Sequence, residues 1–280
     1  MAEIAIVGGG LMGHGIALVL ALHGHAVRIT DTDAQTRAGV PKLMESALAT
    51  LQEGNAAPDS WDAARLAQAV RVEADLAPAV AGAGLVIEAI TENPEAKRVL
   101  FAELDRLCPA HTILASNTSY LDVFPLIPQA RQARALVMHW YTPPYIVDLV
   151  DVVPGPGTDP AVIAAMRDLV LGLGQVPIDD AVIHGLSLRI PILGHLAKAD
   201  FTGLDLTRRA LANGSYTPPQ ARTRSETLDA LCAEGRTGVM AGRGYFDWGG
   251  REPAELFHER DRKLLALKRA MAGIGRMEGT

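Results

Sequence analysis

Ile4-Ala5-Ile6-Val7-Gly8-Gly9-Gly10-Leu11-Met12-Gly13-His14-Gly15-Ile16-Ala17 is the stretch on which the fold turns. Four apolar residues suit a buried strand, and the G-x-G-x-x-G that follows opens an apolar helix running to Leu22. A second apolar run, Ala26 to Thr30, then ends in Asp31. Strand, glycine turn, helix, strand and acid, in that order, are the parts of a dinucleotide site. Gly8 permits the tight turn, Gly10 lets backbone approach a pyrophosphate, and Gly13 lets helix and strand pack closely. The helix N-terminus offers free N–H groups and a partial positive charge to phosphates. Asp31 is placed to accept hydrogen bonds from ribose hydroxyls, and its charge would repel a 2′-phosphate, so NAD is expected rather than NADP.

Beyond Asp31, the spacing of Val40, Leu43, Met44, Ala47 and Leu51 predicts a helix over 34–51, and 60–70 reads as a second helix behind Asp59. The two suggest a helical hairpin inserted before the sheet resumes. Leu85 to Ile90 reads as a buried strand and Pro94 to Leu107 as a helix with proline near its start. Further strands are expected at 112–116, 135–139 and 146–153, with a helix over 159–173. Alternating strands and helices imply an α/β fold, a doubly wound Rossmann sheet over 1–178. From Asp179 onward the pattern turns helical, closing with a helix from Leu256 to Met271. A smaller all-α C-terminal domain, 179–280, is therefore expected.

Composition narrows the function. A formal charge of −6 leaves no basic footprint, so nucleic acid is not an expected partner. Two cysteines without a C-x-x-C pairing argue against a disulfide framework or a zinc site, and no metal is expected. Glycine, proline and charge interrupt every apolar run, so no membrane span is expected, and the first strand begins almost at once, leaving no room for a leader. A cytoplasmic protein is the natural reading.

Ligands of an open α/β sheet bind beyond the carboxyl ends of its strands. Glu92-Asn93, the run Ser116 to Ser119, and His139 all fall at such ends. His139 closes the strand Ala135 to Met138, and the chain turns through Trp140-Tyr141-Thr142-Pro143-Pro144. The returning strand carries Asp151 among β-branched neighbours, where a buried carboxylate needs a partner. A strand–turn–strand would bring Asp151 beside His139, and such an acid orients an imidazole for general base work. The other histidines lack comparable acid context, and Ser119 alone reads as a turn residue.

These residues carry a family resemblance. Gly8–Ala17 (GGGLMGHGIA), Val86–Asn93 (VIEAITEN), Ser116–Ser119 (SNTS), His139–Pro144 (HWYTPP), Leu149–Val153 (LVDVV), Ala199–Asp205 (ADFTGLD) and Gly242–Trp248 (GRGYFDW) occur in the order of the 3-hydroxyacyl-CoA dehydrogenase family. That family also includes L-gulonate 3-dehydrogenase (lambda-crystallin), L-carnitine dehydrogenase and a pyridine-carboxylate dehydrogenase. The resemblance implies reversible hydride transfer between NAD and the C3 hydroxyl carbon of a small hydroxy or keto substrate, in a homodimer. It implies that His139 is the catalytic base, that Asp151 pairs with it, and that Ser119 holds the substrate oxygen. Gly8, Gly10, Leu11, Met12, Gly13, Asp31, Glu92, Lys97, Asn117 and Thr142 become the expected cofactor contacts.

The chain departs from the family pattern in four places. Asp151 stands where glutamate is usual, Thr142 where an asparagine is usual, and Met240 where a lysine often contacts the cofactor. After Ile178 the family normally inserts a P-G-F-[IV]-x-N-R segment and a long helix; here Asp179-Asp180 leads directly into Ala181. Loss of that block favours, as a competing reading, an NAD-binding protein with impaired catalysis. A third class, the 3-hydroxyisobutyrate or 6-phosphogluconate type, would need a catalytic lysine that Leu171-Gly172-Leu173-Gly174-Gln175 lacks. In the hairpin, Arg37, Lys42 and Arg65 are balanced by Glu45, Glu53, Asp59 and Asp62, a poor cationic pocket for a CoA phosphate. A small hydroxy acid is therefore expected ahead of a short 3-hydroxyacyl-CoA, with Arg189 or Lys198 as possible receivers of a carboxylate.

Overall fold

The computed structural model describes residues 3–178, 200–212 and 225–274. Eight strands form one sheet in the order β3-β2-β1-β4-β5-β6-β7-β8. β1 (Ile4–Val7), β2 (Val27–Thr30), β3 (Val70–Val72), β4 (Leu85–Glu88), β5 (Ile113–Ser116) and β6 (Ala135–Trp140) run parallel, and β7 (Leu149–Pro154) is antiparallel to β6. β8 (Val176–Ile178) pairs parallel to β7 at the far edge. Chain order reverses between β1 and β4, which opens the crevice where such sheets bind ligands.

The strands are buried on both faces because helices cover both. Alternation along each strand divides the core in two. Ile4, Ile6, Leu85, Ile87, Leu136 and Met138 point to one layer, and Ala5, Val7, Val86, Leu114, Ala135 and Val137 to the other. α1 (Gly13–Leu22), α2 (Ala34–Glu53) and α6 (Pro160–Gly172) cover the first layer, and α5 (Pro94–Leu107) covers the second through Leu100, Phe101 and Leu104. The caps explain the starts. Asp33, Asn93 and Asp159 accept from the first-turn N–H groups of Thr36, Ala96 and Ala161. α1 has no side-chain cap, which leaves its N-terminal N–H groups to the glycine loop and whatever binds there.

The hairpin differs in detail from its sequence pattern. Its second helix, α3, spans Ala63–Ala69 with Asp62 rather than Asp59 as cap, and Val70 already belongs to the edge strand β3. A further short helix, α4 (Leu76–Val80), lies between β3 and β4. Beyond the sheet, the segments around Asp200 and Tyr245 meet. The Asp200 carboxylate accepts from the backbone N–H groups of Tyr245 and Phe246 at 2.7 and 3.0 Å and from the Trp248 indole at 3.1 Å. Gly244 passes so close that a Cβ there would lie 2.2 Å from an Asp200 oxygen. Phe201, Val239 and Leu256 make a small core beside this knot, while Leu264 and Leu265 of the last helix (Pro253–Ile274) join the main core. Arg189 and Lys198 lie outside the described residues, as does the junction from Asp179.

Candidate active site

A cleft of about 1070 Å³ opens at the carboxyl ends of β1, β2, β4 and β5, with Gly10, Leu11, Met12 and Asp31 on one side and Glu92, Asn117 and Ser119 on the other. The glycines divide the labour as their positions require. A Cβ on Gly8, at φ +109°, would fall 2.4 Å from the Ala89 carbonyl oxygen, and one on Gly13 would fall 1.7 Å from that of Gly8. Gly10 has nothing within 4 Å of its virtual Cβ, so its backbone faces open cleft. Asp31 accepts from the N–H of Gly9 and of Asp33, both at 2.9 Å, and ties the glycine loop to β2. A loop cradle, an uncapped helix N-terminus and a carboxylate at the end of β2 fit a dinucleotide.

The β4 and β5 ends carry a sealed network. Glu88 is fully buried and accepts from Lys97 Nζ at 2.6 Å, the Ile90 N–H at 2.9 Å and Ser116 Oγ. Glu92 accepts from Thr118 Oγ1 at 2.8 Å and the Ser119 N–H at 2.7 Å, and its second oxygen lies 3.3 Å from Lys97. One ammonium thus faces two carboxylates in the interior. Lys97, expected as a cofactor contact, is only 1% exposed and does not line the cleft; it reaches inward to hold Glu88 and Glu92.

One strand further along stands the expected pair. β6 and β7 place His139 directly opposite Asp151, and Nδ1 lies 2.9 Å from Oδ2. The shorter acid reaches because direct cross-strand neighbours are close together. Tyr141, which sequence reasoning passed over, donates its hydroxyl to the same Oδ2 at 2.9 Å. Asn117 stitches the two clusters together, its Oδ1 accepting from the N–H of Trp140 and its own N–H donating to the Glu88 carbonyl. Thr142 touches Met12 Sδ through Oγ1 at 3.0 Å and borders a smaller cavity behind the glycine loop rather than the main cleft. Met240 is exposed. Among the described residues no cluster could hold a metal ion and no helix is long and apolar enough to cross a membrane.

Two other ionisable groups lie behind the glycine loop. His14 is buried with Nδ1 2.7 Å from the Gly10 carbonyl; burial holds its imidazole below the usual range, partly offset by that hydrogen bond. Tyr145, hydrogen-bonded to Asp261, is held well above the ordinary phenol range by burial and by that carboxylate.

Residues 3–181 match the model described as "3-hydroxyacyl-CoA dehydrogenase, NAD binding domain". The chain is 27% identical to 5-formyl-3-hydroxy-2-methylpyridine 4-carboxylate 5-dehydrogenase of Mesorhizobium japonicum, over 97% of this chain and 98% of that one. That alignment has 314 positions, and 97% of 280 is about 272, so about 42 positions hold no residue of this chain. Mitochondrial hydroxyacyl-coenzyme A dehydrogenase of Sus scrofa is 34% identical over 70% of this chain and 64% of its own length. Among solved structures, 5-formyl-3-hydroxy-2-methylpyridine 4-carboxylic acid 5-dehydrogenase, described as an NAD+-dependent dismutase, superposes with TM-score 0.71 at 26% identity, covering 98% of this chain and 99% of that one.

Proposed function

Because this chain belongs to the 3-hydroxyacyl-CoA dehydrogenase family, we propose that it is an NAD-dependent oxidoreductase in which His139 takes the proton of a C3 hydroxyl. The carrying observation is the 2.9 Å contact between His139 Nδ1 and Asp151, one strand from the cleft. Bound NAD supplies the hydride acceptor. Asp151 occupies Nδ1, which fixes the tautomer and leaves Nε2 to receive the substrate proton. Ser119, whose N–H is held by Glu92, stands on the cleft wall where its hydroxyl can hold the substrate oxygen. Asp31 and the loop through Gly8, Gly10, Leu11, Met12 and Gly13 bind the adenosine and phosphate end. Glu92 and Asn117 border the nicotinamide end, and Thr142 stands behind the glycine loop against Met12.

The substrate is a small 3-hydroxy acid in preference to a CoA thioester. The hairpin's arginines are already engaged, which supports this choice. Arg37 donates to the Asp31 and Thr32 carbonyls, and Arg65 stacks on Trp61 at 4.5 Å. A short 3-hydroxyacyl-CoA, and with it a place in fatty-acid metabolism, is the second reading, favoured by the Sus scrofa relative. Division at residue 178 and a helical C-terminal unit, which rest on the change of sequence pattern, a homodimer, which rests on family likeness, and a cytoplasmic location, which rests on the apolar runs being interrupted, complete the reading. The test is NADH formation with 3-hydroxybutyrate, L-gulonate, L-carnitine and 3-hydroxybutyryl-CoA. Turnover of an acid but not the thioester supports the preferred substrate. Tight NAD binding without turnover of any of them would favour the catalytically impaired alternative.

A further inference from the structure

We propose that Tyr141 is a positioning residue that fixes the plane of the Asp151 carboxylate facing His139. In calling His139 a base this rests on the function proposed above; the contacts themselves do not. Tyr141 is 7% exposed, and its ring packs on the His139 imidazole with centroids 4.6 Å apart and planes tilted by 53°. Packing alone would be served by a ring without a hydroxyl, since a buried O–H must find an acceptor or remain unsatisfied. Here the O–H donates to Asp151 Oδ2, the oxygen that already lies 2.9 Å from His139 Nδ1.

The other oxygen explains why a second donor matters. Asp151 Oδ1 is buried and has no hydrogen-bond partner among the described residues. A carboxylate held at a single oxygen by a single donor can turn about Cβ–Cγ, because that terminal torsion is broad and roughly two-fold. A half-turn only exchanges two equivalent oxygens, but a partial turn of the carboxylate plane would carry the shared oxygen off its donors and break the tyrosine bond. Two donors from two points on the β6 end therefore define one orientation of the acid. The imidazole, pressed by the Tyr141 ring and tied at Nδ1, keeps its Nε2 directed away from Asp151. Serving both donors on one oxygen weakens each, so the histidine bond is held in place at some loss of strength.

Tyr141→Phe removes the hydroxyl and keeps the ring, so packing on His139 survives. In NAD-free protein, the proton resonance of His139 Nδ1–H, assigned as the one lost in His139→Ala, should move downfield in Tyr141→Phe as the imidazole gains sole use of Oδ2. In turnover, kcat should fall about tenfold while the NAD dissociation constant stays unchanged. In an Asp151→Asn background, which itself lowers kcat, adding Tyr141→Phe should cost less than about twofold, because both changes break one unit. An unmoved resonance, or an equal loss of kcat with and without Asp151, would make Tyr141 a packing residue and overturn the proposal. Should wild-type protein oxidise no substrate, the resonance still decides: a downfield shift sustains the role of Tyr141 while the dehydrogenase reading falls.

Discussion

Two polar clusters sit side by side at the carboxyl ends of the sheet, and they are built on opposite terms. At the β4 and β5 ends, Glu88, Glu92, Lys97, Ser116 and Thr118 form a closed set in which both carboxylates accept from several donors and an ammonium lies between them. At the β6 and β7 ends, His139, Asp151 and Tyr141 share one carboxylate oxygen, and the other oxygen has no partner among the described residues. A satisfied network resists change because each proton it moves leaves a buried charge unmatched. A group meant to exchange a proton needs the opposite: one fixed edge and one free. On the function proposed above, the first cluster mainly holds shape and the second carries the chemistry.

The strongest way to break that assignment is His139→Ala. It should lower kcat by about 10³-fold or more, with the melting temperature almost unchanged, read by NADH formation and calorimetry. Lys97→Met should do the reverse. It leaves two acids buried without their cation, at a cost of about 3–5 kcal/mol measured by urea unfolding. If His139→Ala unfolded the protein while Lys97→Met only slowed it, the two roles would have to be exchanged. Asp31→Ala tests a boundary between shape and binding. It should weaken NAD by about 10–100-fold in titration calorimetry and narrow the preference over NADP, on the scale of lost hydrogen bonds to a charged group.

His14 gives the smallest effect and sharpens the rule that a sealed group pays when it charges. Its folded pKa is depressed by burial, so the unfolded chain binds the proton first as pH falls. Its contribution to stability is present above the unfolded value of about 6.5 and is lost as pH drops from there toward the folded value. His14→Asn, which keeps a donor near the Gly10 carbonyl, should flatten the fall in melting temperature below that pH. An identical slope in the variant would remove His14 from the account.

Where sequence pattern and local chemistry agreed, the fold could be read directly. β1, the glycine turn, α1, β2 and Asp31 carry their own punctuation, and an aspartate among β-branched residues signalled the return strand that now faces His139. β3 could not be read, because only Val70 of its three residues is buried and an edge strand that short has no periodicity. Lys97 could be read only in part. Its position in α5 suits a cofactor contact, but whether it points at ligand or core depends on Glu88, nine residues earlier on another element. Tyr141 was overlooked since nothing in its neighbours distinguishes a packing ring from a hydroxyl aimed across strands. The Asp200 knot escaped notice too, because its carboxylate serves backbone N–H groups some 45 residues away, a contact with no local signature.

The attachment of Asp31 has a consequence for how a nucleotide would arrive. A carboxylate can accept about four hydrogen bonds, and two are already used in fastening Gly9 and Asp33. Two acceptor positions remain, the number of free hydroxyls on an adenosine ribose. Asp31 is thus tied to the loop before its guest comes, which lowers the entropic cost of ordering that loop on association.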